Sequence, residues 1–345
     1  MISNTSIPSI TTGPRQSNFE LLRILAMLLV LVLHCNFWPI GIPDAADFHD
    51  APLTTWTRTL FQSAAIVCVN VFILISGWFK IKVSLKGFFN FIFQCLFFSF
   101  GTYLVMFCLG KAPFSLTIIA ECLGISKVEW FIKSYIGLYI LAPALNIFSD
   151  KASRKQLFWV LVAFFTFQTI YGMTMTAQFI QRGYSTFSFI GLYLLARYMR
   201  LYPSRILSRL SLWIYLGSVG VLSVLFYINQ MIKSPLDMYA YINPLIIFSS
   251  MGLFLTFGNI KMRTSPVINT ISRSSFAIYL LHYSPVILQP VFLPTARRIF
   301  ENYSGAGYFG AISLFIIVVS LTAILTDQLR IWLWRRIQCI FNHQR

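Results

Sequence analysis

Apolar residues occur along this chain in ten long runs, which short polar and basic segments separate. Several runs reach the roughly 17 to 25 residues that a helix rising about 1.5 Å per residue needs to cross a hydrocarbon core about 30 Å thick. We therefore predict ten membrane helices, five in each half of the chain. They are Leu21–Trp38, Phe61–Phe79, Phe88–Cys108, Phe131–Phe148, Leu157–Tyr171, Phe187–Leu201, Leu212–Met231, Tyr241–Phe257, Phe276–Leu293 and Phe309–Trp334.

This pattern predicts an all-α fold, a polytopic integral membrane bundle of about ten transmembrane helices. The fifth and sixth runs are short, and Asn243-Pro244 interrupts the eighth. No small-residue cleavage pattern follows the first run, so it is predicted as a retained helix rather than a signal peptide. Residues 1–17 are polar and predicted to be a disordered tail, 18–338 form the membrane domain, and 339–345 form a second tail.

Composition excludes an ordinary soluble domain. Of the 345 residues, 57% are hydrophobic, 17% are aromatic and only 11% are charged, and the mean hydropathy is +0.72. A net charge of +17 could indicate a nucleic-acid partner. However, the 27 Lys and Arg residues lie in short loops between apolar runs, which is the pattern of membrane orientation rather than of a nucleic-acid binding stripe.

The distribution of charge gives the orientation. Ten crossings place the loops alternately on two sides, and nineteen of the Lys and Arg residues then fall on the side of the N-terminus. The other side collects eight: Arg58, Lys111, Lys127, Lys133, Arg182, Lys233, Arg297 and Arg298. Basic loops mark the cytoplasmic face. Both termini are therefore predicted to be cytoplasmic, in a multi-pass protein of the cytoplasmic (inner) membrane.

Three ionisable residues lie on the first helix, where a charge inside hydrocarbon is costly and indicates function by default. Glu20 and Arg23 are three residues apart, and His34 follows eleven residues after Arg23. At about 100° per residue, Arg23 and His34 lie within about 20° of one face and about 16 Å apart along the axis. An imidazole there could act as a general base or nucleophile. Alternatively, Glu20 and Arg23 form an interfacial pair and His34 only bonds a neighbouring helix.

A second histidine, His282, lies within the ninth run and precedes Pro285. By itself it is more typical of an interhelical hydrogen bond followed by a proline kink. Two membrane histidines on different helices favour a site. No metal site or disulfide framework is predicted, because the six cysteines have neither C-x-x-C spacing nor a neighbouring His cluster.

Four strings, in this order, resemble the acyltransferase-3 family. They are NFELLRILAMLLVLVLH at Asn18–His34, FILISGW at Phe72–Trp78, EWFIKSYIGLYILAPAL at Glu129–Leu145 and SFAIYLLH at Ser275–His282. In the family's opening helix an arginine precedes the functional histidine by the interval seen in the first string, which is the most specific of the four. The resemblance covers most of the chain.

The resemblance implies an acyltransferase-3-like domain that takes an acyl group, usually acetyl, from acyl-CoA at the cytoplasmic face. The acceptor would be a hydroxyl of an envelope glycan or a lipid-linked sugar, as in surface-polysaccharide O-acetyltransferases. His34 matches the catalytic histidine and Arg23 the arginine of the opening motif, while Glu20 stands where members often have Asp or Glu. His282 would support the reaction or contact the acceptor. No permanently bound cofactor is implied.

The loop after Ser-Gly departs from the family. Members often carry paired arginines there, whereas this loop has lysines, which attract phosphates as point charges but lack the guanidinium fork. These candidate donor-binding residues are Lys80, Lys82 and Lys86. A transporter or flippase of glycan intermediates or small solutes is the alternative function, and it predicts inverted repeats, which the sequence does not show. A structural membrane subunit would leave the two histidines unexplained.

Overall fold

The computed structural model describes residues 15–125, 129–174 and 177–342, and within them the chain forms α-helices and no β-strand. In the first half the helices are α1 (Ser17–His34), α2 (Phe37–Ile40), α3 (Ala45–Asp50), α4 (Pro52–Ala65), α5 (Cys68–Phe79), α6 (Leu85–Cys108), α7 (Leu116–Cys122), α8 (Trp130–Lys151) and α9 (Arg154–Thr169). A π-helical turn, Ile170–Thr174, and a 3₁₀ turn, Gln181–Gly183, follow α9.

In the second half the helices are α10 (Thr186–Leu201), α11 (Arg205–Met231), α12 (Pro244–Asn259), α13 (Pro266–Arg273), α14 (Ser275–His282), α15 (Leu293–Asn302) and α16 (Gly305–Asn342). A π-helical segment, Leu288–Phe292, leads directly into α15. Every predicted run therefore contains a helix, and the all-α fold class is confirmed.

Seven segments of the described chain are long and apolar enough to cross a membrane. They are Ser17–Ile40, Pro52–Phe79, Leu85–Cys108, Trp130–Lys151, Arg154–Thr174, Arg205–Met231 and Gly305–Gln338. Helix α12 is apolar but has only 16 residues, and α10 and α14 are also short. The protein is thus a polytopic helical membrane protein. The count of ten crossings and the cytoplasmic termini remain predictions.

Several predicted boundaries are wrong. The first helix ends at His34 rather than Trp38, and the ninth run is not continuous, because α14 ends at His282 and a turn precedes Leu288. Pro285 lies in that turn, where it cannot donate a helical hydrogen bond. The eighth helix begins at Pro244 rather than Tyr241, since proline suits the first turn and Asn243 caps the backbone N–H of Leu245.

The predicted tails fall largely outside the described residues. Helix α1 begins at Ser17, whose hydroxyl is buried and donates to Asn269 on α13 at 3.0 Å, and α16 continues to Asn342. Residues 1–14 and 343–345, together with the orientation residue Lys127, lie outside the described residues.

Helix α5 lies at the centre of the bundle. In the span Pro52–Phe79, 72% of the most apolar stretch is buried inside the protein, against 17% for Leu85–Cys108. Helix α10 packs so closely on α5 that a Cβ on Gly77 would lie 2.5 Å from the carbonyl oxygen of Tyr193. Helices α1 and α14 pack on each other beside α5, and this arrangement brings the ends of two helices together inside the bundle.

Candidate active site

The last residues of α1 and α14 meet inside the bundle. Nδ1 of His34 lies 2.9 Å from Nε2 of His282. His34 is half-buried, whereas His282 is only 1% exposed and packs against the ring of Phe292. The two histidines that the sequence assigned to different helices therefore form one hydrogen-bonded pair.

The tautomers of this pair follow from its partners. Nδ1 of His282 lies 2.5 Å from the carbonyl oxygen of Ile278, and because a carbonyl only accepts, this nitrogen carries the hydrogen. In the neutral ring Nε2 of His282 then accepts, so Nδ1 of His34 donates to it. Nε2 of His34 is left with its lone pair, and no described residue hydrogen-bonds it.

The position of His34 at the end of α1 also suits a positive charge. The carbonyl end of a helix carries a partial negative charge that stabilises a cation in its last turn. An imidazolium formed transiently on His34 would therefore be stabilised by the helix that carries it.

A basic cavity of about 930 Å³ opens near the first turns of α1. It is lined by six cationic side chains: Arg15, Arg23, Lys86, Arg273, Arg330 and Arg335. Among the described residues, Lys86, Arg273 and Arg335 make no ion pair. The cavity therefore presents uncompensated positive charge, as a site for an anionic ligand requires.

Glu20 fixes Arg23 at this cavity. Nη1 of Arg23 donates to Oε2 of Glu20 at 2.7 Å, and the Ser272 hydroxyl donates to the same oxygen at 2.5 Å. Arg15 lies 3.6 Å from the other carboxylate oxygen. The pair expected from the three-residue spacing forms, and it holds Arg23 with its guanidinium facing the cavity.

The loop lysines are not all at this site. Lys86 lines the basic cavity, but Lys80 and Lys82 do not. Nζ of Lys80 instead donates to Asp150 at 2.6 Å, and Arg197 contacts the other oxygen of the same carboxylate at 3.2 Å. Of the three predicted donor-binding lysines, the structure brings only Lys86 to the cavity.

Sequence reasoning missed the contribution of α16 to this cavity. Arg330 is buried, and it makes two hydrogen bonds to Asp327 and a third to Asn90 on α6 at 3.0 Å. Gln94 of α6 also donates to Asp327. This network fixes the C-terminal half of α16 against α6, and Arg335 follows five residues after Arg330 on the same helix. Asp327 and Arg330 are three residues apart in the sequence, but this spacing does not show which cavity the helix lines.

A second cavity of about 810 Å³ lies at the other end of α1, and we call it the aromatic cavity. Its lining includes His34 and eight other aromatic residues: Phe37, Trp38, Trp130, Tyr184, Phe226, Tyr239, Tyr241 and Tyr283. Burial raises the pKa of Tyr184 to about 12, so its hydroxyl keeps its proton. Polar groups are interspersed, including Gln62, Asn229 and the Arg182–Asp237 ion pair at 3.2 Å.

An adjoining cavity of about 710 Å³ shares Trp38, Trp130 and Tyr283 with the aromatic cavity and also contains Glu129 and Lys133. Trp130 thus lines both of these cavities, while Tyr135 lines the basic cavity.

A narrow neck separates the basic and aromatic cavities. Its free volume is only about 30 Å³, and its walls include His34 and Tyr279. Phe72, Phe131 and Phe276 line both the neck and the basic cavity. Their ring centroids lie 5.7 to 6.2 Å apart. His34 therefore borders the aromatic cavity directly and reaches the basic cavity only through this aromatic neck.

Comparison with known proteins identifies a family. A family model described as an acyltransferase domain, of the acyltransferase-3 type, matches residues 16–327 and so includes both histidines and most of the basic cavity. No curated protein and no solved structure matches the chain.

Proposed function

Since the chain belongs to the acyltransferase-3 family, we propose that it transfers an acyl group from cytoplasmic acyl-CoA to a hydroxyl of an envelope glycan or a lipid-linked sugar. Acetyl is the first candidate for this acyl group. The observation that carries this proposal is the position of His34 between a basic and an aromatic cavity. A group transfer between two separate compartments needs its reactive group at such a boundary.

His34 is the general base in this proposal. Its Nε2 is the unprotonated nitrogen, and its Nδ1 is bonded to His282, which fixes the ring orientation. His282 in turn is fixed by the Ile278 carbonyl. As in other catalytic sites, a further residue, here His282, orients the general base. His282 is thus a positioning residue, and the proton is transferred at His34.

The basic cavity is the proposed donor site. The phosphates of acyl-CoA are anionic, and the cavity offers guanidinium groups that can bind phosphate oxygens in bidentate fashion. Arg23 is held in place by Glu20, while Arg273 and Arg335 have no ion-pair partner among the described residues. With the phosphates at these cations, the thioester end of the donor can extend into the neck toward His34.

The aromatic cavity is the proposed acceptor site. Sugars present apolar C–H faces and polar hydroxyl edges, and sites for such ligands combine aromatic faces with a few oriented polar groups. Trp38 and Tyr283 flank His34 at ring-centroid distances of 5.1 and 5.6 Å. Gln62, Asn229 and the Arg182–Asp237 pair supply hydrogen-bonding groups.

The reaction balances with these groups. Nε2 of His34 takes the proton of the acceptor hydroxyl as its oxygen attacks the thioester carbonyl carbon. The tetrahedral intermediate collapses with cleavage of the C–S bond, and the CoA thiolate leaves. The imidazolium of His34 returns its proton to that thiolate, so the products are the acylated sugar and free CoA.

The neck weighs against a transporter or flippase of glycan intermediates. A free volume of about 30 Å³ accommodates a group of the size of one water molecule. A sugar ring is much larger, whereas the thioester end of a donor is thin and unbranched.

The test uses purified protein in membranes that carry the cell's own envelope glycans, supplied with radiolabelled acetyl-CoA. His34→Ala should abolish label transfer and CoA release, since general-base catalysis contributes about 10²- to 10⁴-fold. His49→Ala is the matched control, because His49 is exposed, pairs with its neighbour Asp50 and lines none of the cavities described above. If His34→Ala transfers acetyl as fast as His49→Ala, the proposed function loses its base.

A further inference from the structure

The hydroxyl of Tyr279 is buried without a partner. Tyr279 is 7% exposed, and no described group hydrogen-bonds its Oη. Burying a hydroxyl without a hydrogen bond costs about 1–3 kcal/mol, and buried polar side-chain atoms are otherwise paired in most folded proteins. A phenylalanine would fill the same space without this cost. The hydroxyl therefore requires an explanation other than packing.

The surroundings of Tyr279 place it beside the reaction. Its ring packs on Phe131 and Phe276 at centroid distances of 5.7 and 5.8 Å, and both of those rings form the neck. It also stacks on Tyr283 at 5.0 Å. Tyr279 precedes His282 by three residues on α14, so both side chains project to the same side of that helix.

Tyr279 lines both the neck and the cavity that adjoins the aromatic cavity. This is where the acyl carbonyl must pass if the donor binds in the basic cavity and the base is His34. The neck has room for a group of about the size of a water molecule.

We propose that the Tyr279 hydroxyl donates a hydrogen bond to the carbonyl oxygen of the acyl group and stabilises the oxyanion of the tetrahedral intermediate. This inference rests on the proposed acyltransferase function. Beside the base His34 it adds a group that stabilises the developing negative charge. This group lies on α14, the helix that also carries His282.

A hydrogen-bond donor that has no other acceptor in the resting protein suits this role. An oxyanion is stabilised best by groups that are already oriented and need not break another bond when charge develops. The buried tyrosine meets this condition, because its ring is held by Phe131, Phe276 and Tyr283 while its hydroxyl is unpaired. The cost of the unpaired hydroxyl in the resting protein is offset when the thioester oxygen accepts from it.

In the reaction, the oxygen of the acyl carbonyl gains negative charge as the acceptor oxygen bonds to the carbonyl carbon. Tyr279 keeps its proton throughout and only donates a hydrogen bond to that oxygen. When the C–S bond breaks, the carbonyl reforms and this hydrogen bond weakens. The proton that moves is the one His34 takes from the acceptor and gives to the CoA thiolate.

The test is Tyr279→Phe, which removes one oxygen atom and keeps the ring. With radiolabelled acetyl-CoA and membranes carrying the native envelope glycans, kcat should fall by about 10²- to 10³-fold, the usual effect of losing one oxyanion donor. The KM for acetyl-CoA should change little. The thermal unfolding midpoint should stay the same or rise, because an unsatisfied buried hydroxyl has been removed.

The matched control is Tyr215→Phe. The Tyr215 hydroxyl donates to the carbonyl oxygen of Ala64 at 3.0 Å, and Tyr215 lines neither the basic, aromatic or adjoining cavity nor the neck. Its removal should lower the unfolding midpoint and leave kcat unchanged. The two variants are therefore expected to show opposite patterns of activity and stability.

The outcomes separate the inference from the function it rests on. Near-normal kcat in Tyr279→Phe, alongside an inactive His34→Ala, would overturn the role of Tyr279 and leave the acyltransferase proposal intact. A rise in KM without a fall in kcat would also overturn it, since the hydroxyl would then bind the ground state. A wild-type protein that transfers no acetyl group would instead refute the proposed function.

Discussion

Nδ1 of His34 lies 2.9 Å from Nε2 of His282, although 248 residues separate the two histidines in the chain. The bond joins the last residues of two helices, so the position of the proposed base depends on where both helices end. Each end is set locally: α1 stops four residues ahead of the predicted position, and α14 stops before the turn that contains Pro285.

The orientation of His34 by His282 predicts a graded series of variants. His282→Leu removes the acceptor for Nδ1 of His34 and should lower kcat by about ten- to a hundred-fold, as is typical for partners that orient a functional histidine. His282→Gln keeps a side-chain oxygen that can accept and should recover part of the rate. A pH–rate profile separates this role from packing, because loss of the partner shifts the ionisation of the base. Equal rates for both variants would contradict the orienting role.

The basic cavity predicts which cations bind the donor. Arg23→Gln should raise the dissociation constant of acetyl-CoA by about ten- to a hundred-fold, the value of one charge-assisted hydrogen bond of about 1.5–3 kcal/mol. Arg273→Gln should act in the same direction. Lys80→Gln is the control, since Lys80 is paired with Asp150 outside the cavity. Isothermal titration with acetyl-CoA measures all three, and stronger weakening by Lys80→Gln than by Arg23→Gln would contradict the assignment.

The close contact between α5 and α10 predicts a large stability effect from one methyl group. In Gly77→Ala the new Cβ would meet the Tyr193 carbonyl oxygen at 2.5 Å and the Ala196 Cβ at 2.9 Å. Such overpacking should destabilise the protein by about 1–3 kcal/mol. Gly101→Ala on α6 is the control, because nothing lies within 4 Å of its Cβ position. Thermal unfolding in detergent compares the two, and equal midpoints would contradict the close packing.

The orientation predicted from basic loops can be tested by labelling. In a Cys108→Ser background, a cysteine placed at Ser153 should resist a membrane-impermeant maleimide in intact cells and react after lysis, because the α8–α9 loop is predicted to be cytoplasmic. A cysteine at Asp50 should react in intact cells. Labelling of the Ser153 position from outside would reverse the orientation and exchange the proposed donor and acceptor faces.

The hydrophobic pattern was sufficient for the fold class and for the existence of a helix in every predicted run. Apolar periodicity and length are local properties, and a helix in lipid must satisfy its backbone hydrogen bonds within itself. Helix ends were less predictable. Capping by Asn243 and the break after His282 depend on single residues, and these moved the boundaries of the eighth and ninth runs.

The candidate site was only partly predictable for a related reason. The angle between Arg23 and His34 follows from helix geometry, and the structure places them in cavities that a shared aromatic neck connects. Which helices face each other does not follow from one sequence. Arg273, Arg335 and the hydroxyl of Tyr279 were therefore missed, although Tyr279 lies inside one of the strings that resemble the family.

The aromatic neck also has a consequence for the passage of ions through the bundle. The basic and aromatic cavities, of about 930 and 810 Å³, lie toward opposite ends of α1. The protein that separates them is therefore thinnest at the neck. Phe72, Phe131 and Phe276 line the neck on the side of the basic cavity with rings that offer no hydrogen bonds to water or ions, and an apolar constriction of this kind disfavours a continuous water column. In the proposed reaction, the two cavities would bring the reactants within reach of one histidine while this constriction hinders the passage of ions.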